Sequence, residues 1–357
     1  MTNGRMTLSK FIIENDRSSA NPQPDLTSLL NDVQTACKLI SVAASRGPLN
    51  PVAILPTRAA PGADEQKPLD VVTNTLMLET CEWGGQLAGM VSEEMEAPYR
   101  IPARYPRGRL LLVFDPLDGS SNIDINAPVG TIFSILRCPE GVTDPTEADF
   151  LQPGSAQIAA GYALYGPTTM MVLTLGAGTH GFTLDPEIGA FILTHPDIVI
   201  PSGACQFAIN MSRARSWEPP VRRFVEECVE GSSGVRGADF NMRWVAAMVS
   251  EVHRILLRGG LCIYPRDPAR PEQPGRLRLL YEANPMAMII EQAGGLGSTG
   301  RERLLDVVPT ALHQRVPVIL GDRAEVERIE RYHAQYDAGE EAGFRTPLFN
   351  TRSLFRA

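Results

Sequence analysis

The sequence predicts an α/β protein in two domains, on three observations. Helical apolar periodicity alternates with short strand-like apolar runs along the chain, 357 residues is the length of about two ordinary domains, and composition shifts near His195-Pro196. The expected division is 1–195, 196–337 and a peripheral tail at 338–357.

Asp25 to Arg46 places Leu26, Leu29, Leu30, Val33, Ala36, Leu39, Ile40 and Ala43 at helical spacing, with Gly47-Pro48 as a stop. Residues 51–68 mix Pro, Gly, Ala and charge without a period and predict a mobile, lid-like loop. A helix follows over 69–83, then a strand at Leu87 to Val91 and another at Leu110 to Phe114, which Asp115-Pro116 should end. Apolar runs at 131–136, 157–165, 168–175 and 189–193, with Gly or Pro between them, predict strands. Past the boundary, 205–210 reads as a strand, 218–230 as a helix opened by prolines, and 241–257 as a helix stopped by Gly259-Gly260. Strands are expected at 261–264, 276–281 and 316–320. Helices are expected from the Asn284-Pro285 start to Gly294-Gly295, and over 323–336.

A hydrophobic fraction of 43% with 21% charged residues belongs to a soluble globular chain, and a net charge of -8 argues against nucleic acid or an anionic membrane as partner. The opening MTNGRMTLSKFIIEND has no long apolar core and no membrane-length apolar run occurs, so the cytoplasm is the expected compartment. The six cysteines show no C-x-x-C spacing, and none has Arg six positions on. They read as reduced core thiols, not as a nucleophile.

The stretch LLLVFDPLDGSSNID, Leu110 to Asp124, carries the chemistry. Its apolar run is a buried strand, and ligand crevices in α/β sheets form at such carboxyl ends. The amides of Gly119-Ser120-Ser121 suit a phosphate, whereas Asp115 and Asp118 repel one at several kcal/mol within a few ångströms. A hard divalent cation, chiefly magnesium, resolves the conflict by binding carboxylates on one side and phosphate oxygens on the other. Taken alone, DPLDG reads equally as an Asp-Pro turn, Glu93-Glu94 as a solvated face and Glu282 as helix N-terminal electrostatics. Together these carboxylates, each at the end of its element, predict one site for two or more magnesium ions.

VSEE, FDPLDGSSNID…VGTIF, NMRWVAAMVSEVHR and LRLLYEANPMAMIIEQAGG resemble class I fructose-1,6-bisphosphatase, of the magnesium-dependent, lithium-sensitive phosphatase superfamily, in family order from about Thr7 to Tyr336. The resemblance implies a layered αβαβα sugar-phosphatase fold with two mixed-sheet domains. It implies a homotetramer that hydrolyses the 1-phosphate of fructose 1,6-bisphosphate, in gluconeogenesis or the Calvin cycle. The residues matching the family's metal ligands are Glu93, Glu94, Asp115, Asp118 and Glu282 with the Leu117 carbonyl; those matching its water-activating acids are Asp70 and Glu94, assisted by Asp64. Asp118, Gly119, Ser120 and Ser121 match the 1-phosphate and sugar site. Asn210, Tyr264, Arg276 and, from a neighbouring subunit, Arg243 match the 6-phosphate and sugar site.

Several positions depart from the family. Arg276 stands for the usual lysine in a chain whose only lysines are Lys10, Lys38 and Lys67, and Trp244 replaces a phosphate-contacting tyrosine. Sedoheptulose 1,7-bisphosphate therefore stands as the alternative substrate, alongside or in place of the fructose bisphosphate. The cysteine-bearing insertion of chloroplast forms is absent between Phe150 and Leu175. The turn that holds AMP in inhibited relatives reads QPDLT, Gln23 to Thr27; the Lys-Tyr pair beside it reads Arg109-Leu110, and Arg137 is kept, so weak AMP inhibition is expected. An inositol monophosphatase would leave RLRLLYEANPMA idle. A haloacid-dehalogenase-type phosphatase needs D-x-D, and a non-catalytic sugar-phosphate sensor should have lost a metal carboxylate or Asp70, which this chain keeps.

Overall fold

The computed structural model describes residues 5–49, 67–268 and 274–340; most of the predicted loop, Asp64 included, and most of the predicted tail lie outside them. Three helices come first: α1 (Leu8–Ser18), α2 (Pro24–Ser45) and α3 (Pro68–Cys81). Helix α1 was not expected from the sequence. It is short, carries only Leu8 and Ile12 into the core, and is started by Thr7, whose hydroxyl accepts the Lys10 N–H at 3.2 Å.

Eight strands follow: β1 (Leu87–Ser92), β2 (Tyr99–Arg100), β3 (Leu110–Asp118), β4 (Val129–Arg137), β5 (Ala159–Tyr165), β6 (Thr169–Thr174), β7 (Thr179–Asp185) and β8 (Ala190–His195). They form one sheet in the order β2-β1-β3-β4-β5-β6-β7-β8, with β1 and β3 parallel and the other pairs antiparallel. A short helix, α4 (Glu147–Phe150), sits between β4 and β5. Strand β7, THGFTLD, lacks the apolar alternation that marks a strand in sequence, and pairing along both its edges supplies what its side chains do not.

The second half holds β9 (Gln206–Ile209), α5 (Pro219–Glu230), β10 (Asn241–Met242), α6 (Met248–Arg258), β11 (Leu261–Tyr264), β12 (Leu277–Arg278), α7 (Asn284–Gln292), β13 (Leu296–Ser298), β14 (Arg315–Val316), β15 (Val318–Gly321) and α8 (Arg323–Asp337). Five of its strands form a sheet ordered β10-β9-β11-β15-β13, and β12 pairs with β14.

Alternation of side chains across the strands builds the layers. Leu110, Leu112 and Phe114 of β3 pack with α1, α2 and α3 in one core, while Ile132, Ala160, Tyr162 and Val172 on the other face of that sheet pack with α6 and α7. Ala208, Cys262, Val318 and Leu320 of the second sheet join this middle core; Phe207, Ile209, Leu261, Ile263 and Ile319 face α5 and α8. The order is helices, sheet, helices, sheet, helices, the αβαβα layering expected above.

In the second half, a helix begins later and a strand ends earlier than expected. The helix predicted over 241–257 starts at Met248, because Asn241 and Met242 pair with β9 and Ala246 sits in left-handed backbone at φ 62. The strand predicted over 276–281 keeps only two residues before a wide helical turn over 279–283. All six cysteines are free, and burial pushes the thiols of Cys37, Cys228 and Cys262 up to about 12. Among the described residues no helix is long and apolar enough to cross a membrane.

Candidate active site

Strand β3 does not stop at Asp115-Pro116; it runs on to Asp118 through a bulge. Asp115 faces Ile132 and Asp118 faces Gly130, so three steps along β3 match two along β4. In a regular strand residues three apart point to opposite faces; the extra residue puts both carboxylates on one face. Proline, which has no N–H for the ladder, is tolerated at such a bulge. The Leu117 N–H donates to Asp115 Oδ1 at 2.9 Å, and the Val249 N–H at the start of α6 donates to Asp118 Oδ2 at 2.8 Å. Asp118 thus caps a helix of the second half that has no side-chain cap of its own.

Glu282 comes from the wide turn before α7, its Oε2 accepting the Arg278 N–H at 2.7 Å. Ligand atoms of Asp115, Asp118 and Glu282 lie within 4.8 Å of one another, and all three residues are buried. Burial, then mutual repulsion, raises the Asp115 carboxyl well above the carboxylate range and Asp118 to about 8; burial raises Glu282 as well. Three buried carboxylates so close together fit a hard, oxygen-seeking divalent cation.

Glu94 lies near enough that its charge raises both Asp70 and Asp115, whereas Glu93 is turned into an ion pair with Arg278. Asp70 is 2% exposed; its Oδ2 accepts the Lys67 N–H at 2.8 Å and its Oδ1 is buried with no partner among the described residues. Burial, then the Glu94 charge, lifts the Asp70 carboxyl to about 7. An orphaned oxygen on a group titrating near neutrality suits a water that must give up a proton.

Past Asp118 the chain turns at Gly119, φ 77, where an added Cβ would come within 2.6 Å of the Ala247 Cβ, so only glycine fits. Ser120 and Ser121 open a helical turn, and Asn122 Nδ2 donates to the nearby Pro128 carbonyl at 3.2 Å and ties the turn to the second half through the Val245 carbonyl at 3.0 Å. Ser121 lines a cavity of about 230 Å³ together with Asn210, Tyr264 and Arg276, four residues that the family resemblance assigned to substrate. Burial and several neighbouring groups, Asp118 and Glu282 among them, raise the Tyr264 phenol, which ties the cavity electrostatically to the acidic cluster. Trp244 packs at a tilt against Tyr264, with ring centroids 5.0 Å apart. Arg243 is exposed and does not line the cavity of its own chain.

The same cavity is lined by Arg213, Arg266 and Arg315, which sequence reasoning missed, with one acid, Asp267. These arginines belong to no local motif; they come from three separate stretches and meet only through the fold. A signal existed in the arginine-rich, lysine-poor composition, but composition carries no position.

Residues 6–196 match the family description "Fructose-1-6-bisphosphatase, N-terminal domain", and residues 200–334 match "Fructose-1-6-bisphosphatase, C-terminal domain". The chain is 58% identical over 356 residues, 100% of its own length and 99% of the relative's, to "Fructose-1,6-bisphosphatase class 1" of Methylacidiphilum infernorum. It is 56% identical over 352 residues, 98% and 97% of the two chains, to the protein so named from Hydrogenophilus thermoluteolus. Among solved structures, Leishmania major fructose-1,6-bisphosphatase in holo form superposes with a TM-score of 0.85 at 37% identity, over 92% of this chain and 99% of that one. With full-length likeness in sequence and fold, and an acidic cluster joined to an arginine-lined cavity, the chain belongs to the class 1 fructose-1,6-bisphosphatase family and is a phosphatase.

Proposed function

We propose that the chain removes the 1-phosphate of fructose 1,6-bisphosphate by magnesium-dependent hydrolysis, leaving fructose 6-phosphate and inorganic phosphate, as a homotetramer in the cytoplasm. The observation that carries the reading is the join at Ser121 between the buried carboxylate cluster and the arginine-lined cavity. One end suits a phosphate held through cations, the other a distal phosphate held by guanidinium groups. Asp115, Asp118 and Glu282, with Glu94 and the Leu117 carbonyl beside them, would hold the magnesium, and Glu93 would join after release from Arg278. Bound there, the ions supply positive charge to the phosphoryl and departing sugar oxygens and acidify water.

The protein's own part follows from its groups. The amides and hydroxyls at Gly119, Ser120 and Ser121 receive the 1-phosphate. Asn210, Tyr264 and Arg276 hold the sugar and distal phosphate, with Arg243 of a neighbouring subunit completing that end. Asp70 Oδ1 takes the proton of the attacking water as its oxygen bonds to phosphorus and the bond to the sugar oxygen breaks, that oxygen taking a proton from solvent to leave as the sugar hydroxyl. Asp64 of the segment before α3 assists. The thiols of Cys37, Cys228 and Cys262, buried and held neutral, offer no nucleophile, which supports direct attack by water.

Phosphorus NMR of the reaction products tests this reading: fructose 6-phosphate is expected, and fructose 1-phosphate would overturn it. A second reading, sedoheptulose 1,7-bisphosphate as a further or preferred substrate, draws on Trp244 and on the extra arginines in the cavity. The ratio of kcat/KM for the two bisphosphates decides between them.

A further inference from the structure

The bulge that brings Asp115 and Asp118 together is held from behind by a buried chain of hydroxyls. Opposite the bulge, Thr131 Oγ1 donates to the Pro116 carbonyl at 2.9 Å and lies 2.7 Å from the Tyr165 hydroxyl. Thr131 is fully buried and Tyr165 nearly so. Tyr165 faces Val129, two residues along β4 from Thr131, so the two side chains share a face. The Cys37 thiol on α2 lies beside the Tyr165 hydroxyl.

Counting protons gives the chain a direction. A carbonyl only accepts, so the single hydroxyl hydrogen of Thr131 goes to Pro116, and Tyr165 must donate to Thr131. The Pro116 carbonyl and the Leu117 N–H belong to one peptide plane. That plane is pinned twice: its oxygen by Thr131 and its N–H by Asp115 Oδ1. If the plane rotates, Asp115 loses the bond that orients its carboxylate, and the next carbonyl, that of Leu117, swings away.

We infer that Thr131 and Tyr165 are positioning residues for the magnesium site, fixing the 116–117 peptide so that Asp115 and Leu117 present their oxygens together. This rests on the proposed magnesium chemistry. Removing an outer partner of a metal ligand commonly costs about ten- to a hundredfold in metal affinity, which sets the scale.

Calorimetric titration of magnesium into the purified protein tests the inference apart from turnover, with circular dichroism to confirm folding. Thr131→Val, which keeps the shape and deletes the hydroxyl, is expected to weaken magnesium binding about tenfold or more, and Thr131→Ser to restore it. Tyr165→Phe leaves the Thr131 bond but removes its orienting donor, and a smaller loss of about threefold is expected. In turnover, the concentration of magnesium for half-maximal rate should rise while KM for the bisphosphate stays put. A folded Thr131→Val protein that binds magnesium as the parent does would overturn the inference. Should that variant not fold, wild-type affinity in Tyr165→Phe would overturn it instead. If the parent protein itself binds no magnesium and releases no phosphate, it is the proposed function that fails.

Discussion

At the acidic end of the site, Asp115, Asp118 and Glu282 are buried, and each accepts a hydrogen bond from a backbone N–H. At the cationic end, Arg213 and Arg276 are exposed, Arg266 and Arg315 half-buried, and Arg315 Nη1 reaches the Arg276 carbonyl at 3.0 Å. The first end is rigid and repels itself until a cation enters; the second is charged, wet and adjustable. Charge confined in a low-dielectric pocket is costly and therefore strongly discriminating, whereas exposed guanidinium groups contribute modestly each. Chemistry should thus depend steeply on single carboxylates, and affinity shallowly on single arginines.

The steepest effects are expected at the acidic end. Asp118→Asn and Glu94→Gln should each lower kcat about a hundredfold or more at saturating magnesium, since each removes charge from the reacting centre. Near-normal turnover in both would collapse the contrast between the two ends. Lithium should inhibit, as the family resemblance implies.

Next comes the effect of pH on the metal-free protein. With Asp118 raised to about 8 when folded against about 3.9 unfolded, the folded state binds more protons, so stability falls as pH rises between those values. Melting temperature without metal should therefore drop from pH 6 to pH 8, and stabilisation by magnesium should grow over the same interval. Asp118→Asn should flatten both trends. A metal-free melting temperature that rises from pH 6 to pH 8 would contradict the burial argument.

At the cationic end, Arg276→Ala and Arg213→Ala should each raise KM for fructose 1,6-bisphosphate by about tenfold or less with kcat largely kept, the sign of lost uniform binding. A drop in kcat of the size expected for Asp118→Asn would erase the distinction. The smallest effect is expected from AMP. Gln23 Oε1 takes Arg137 Nη2 at 2.6 Å, and the Gln23 N–H is bonded to Asp16, so the phosphate-facing groups of that turn are already engaged. Cooperative inhibition by AMP in the micromolar range would contradict this.

The same contrast explains what the sequence made legible. The Asp115 and Asp118 part of the acidic end is a local feature: an apolar strand, a proline at a bulge, a glycine turn and a serine pair lie within Leu110 to Ser121, where adjacent residues determine each other's geometry, and Glu282 joins them through the fold. Helix α2 is equally legible, because its burial at Leu26, Leu29, Leu30, Val33, Ala36, Cys37 and Ile40 follows the helical period. The arginine cavity joins residues from 213 to 315 that no local rule connects. The start of α6 was misplaced for a related reason: the left-handed backbone at Ala246 and the closing bond from the Val245 N–H to Glu251 Oε1, at 2.6 Å, leave no mark in an apolar pattern. The ion pair between Glu93 and Arg278 likewise appears only when the two halves meet.

The most direct test of the two-ended site is the rate of phosphate release from fructose 1,6-bisphosphate by pure protein as magnesium is titrated from a chelated baseline. The account predicts no release at the baseline, a rise that saturates with magnesium, and one phosphate released per sugar. Release that persists under chelation, or none at saturating magnesium, would contradict it.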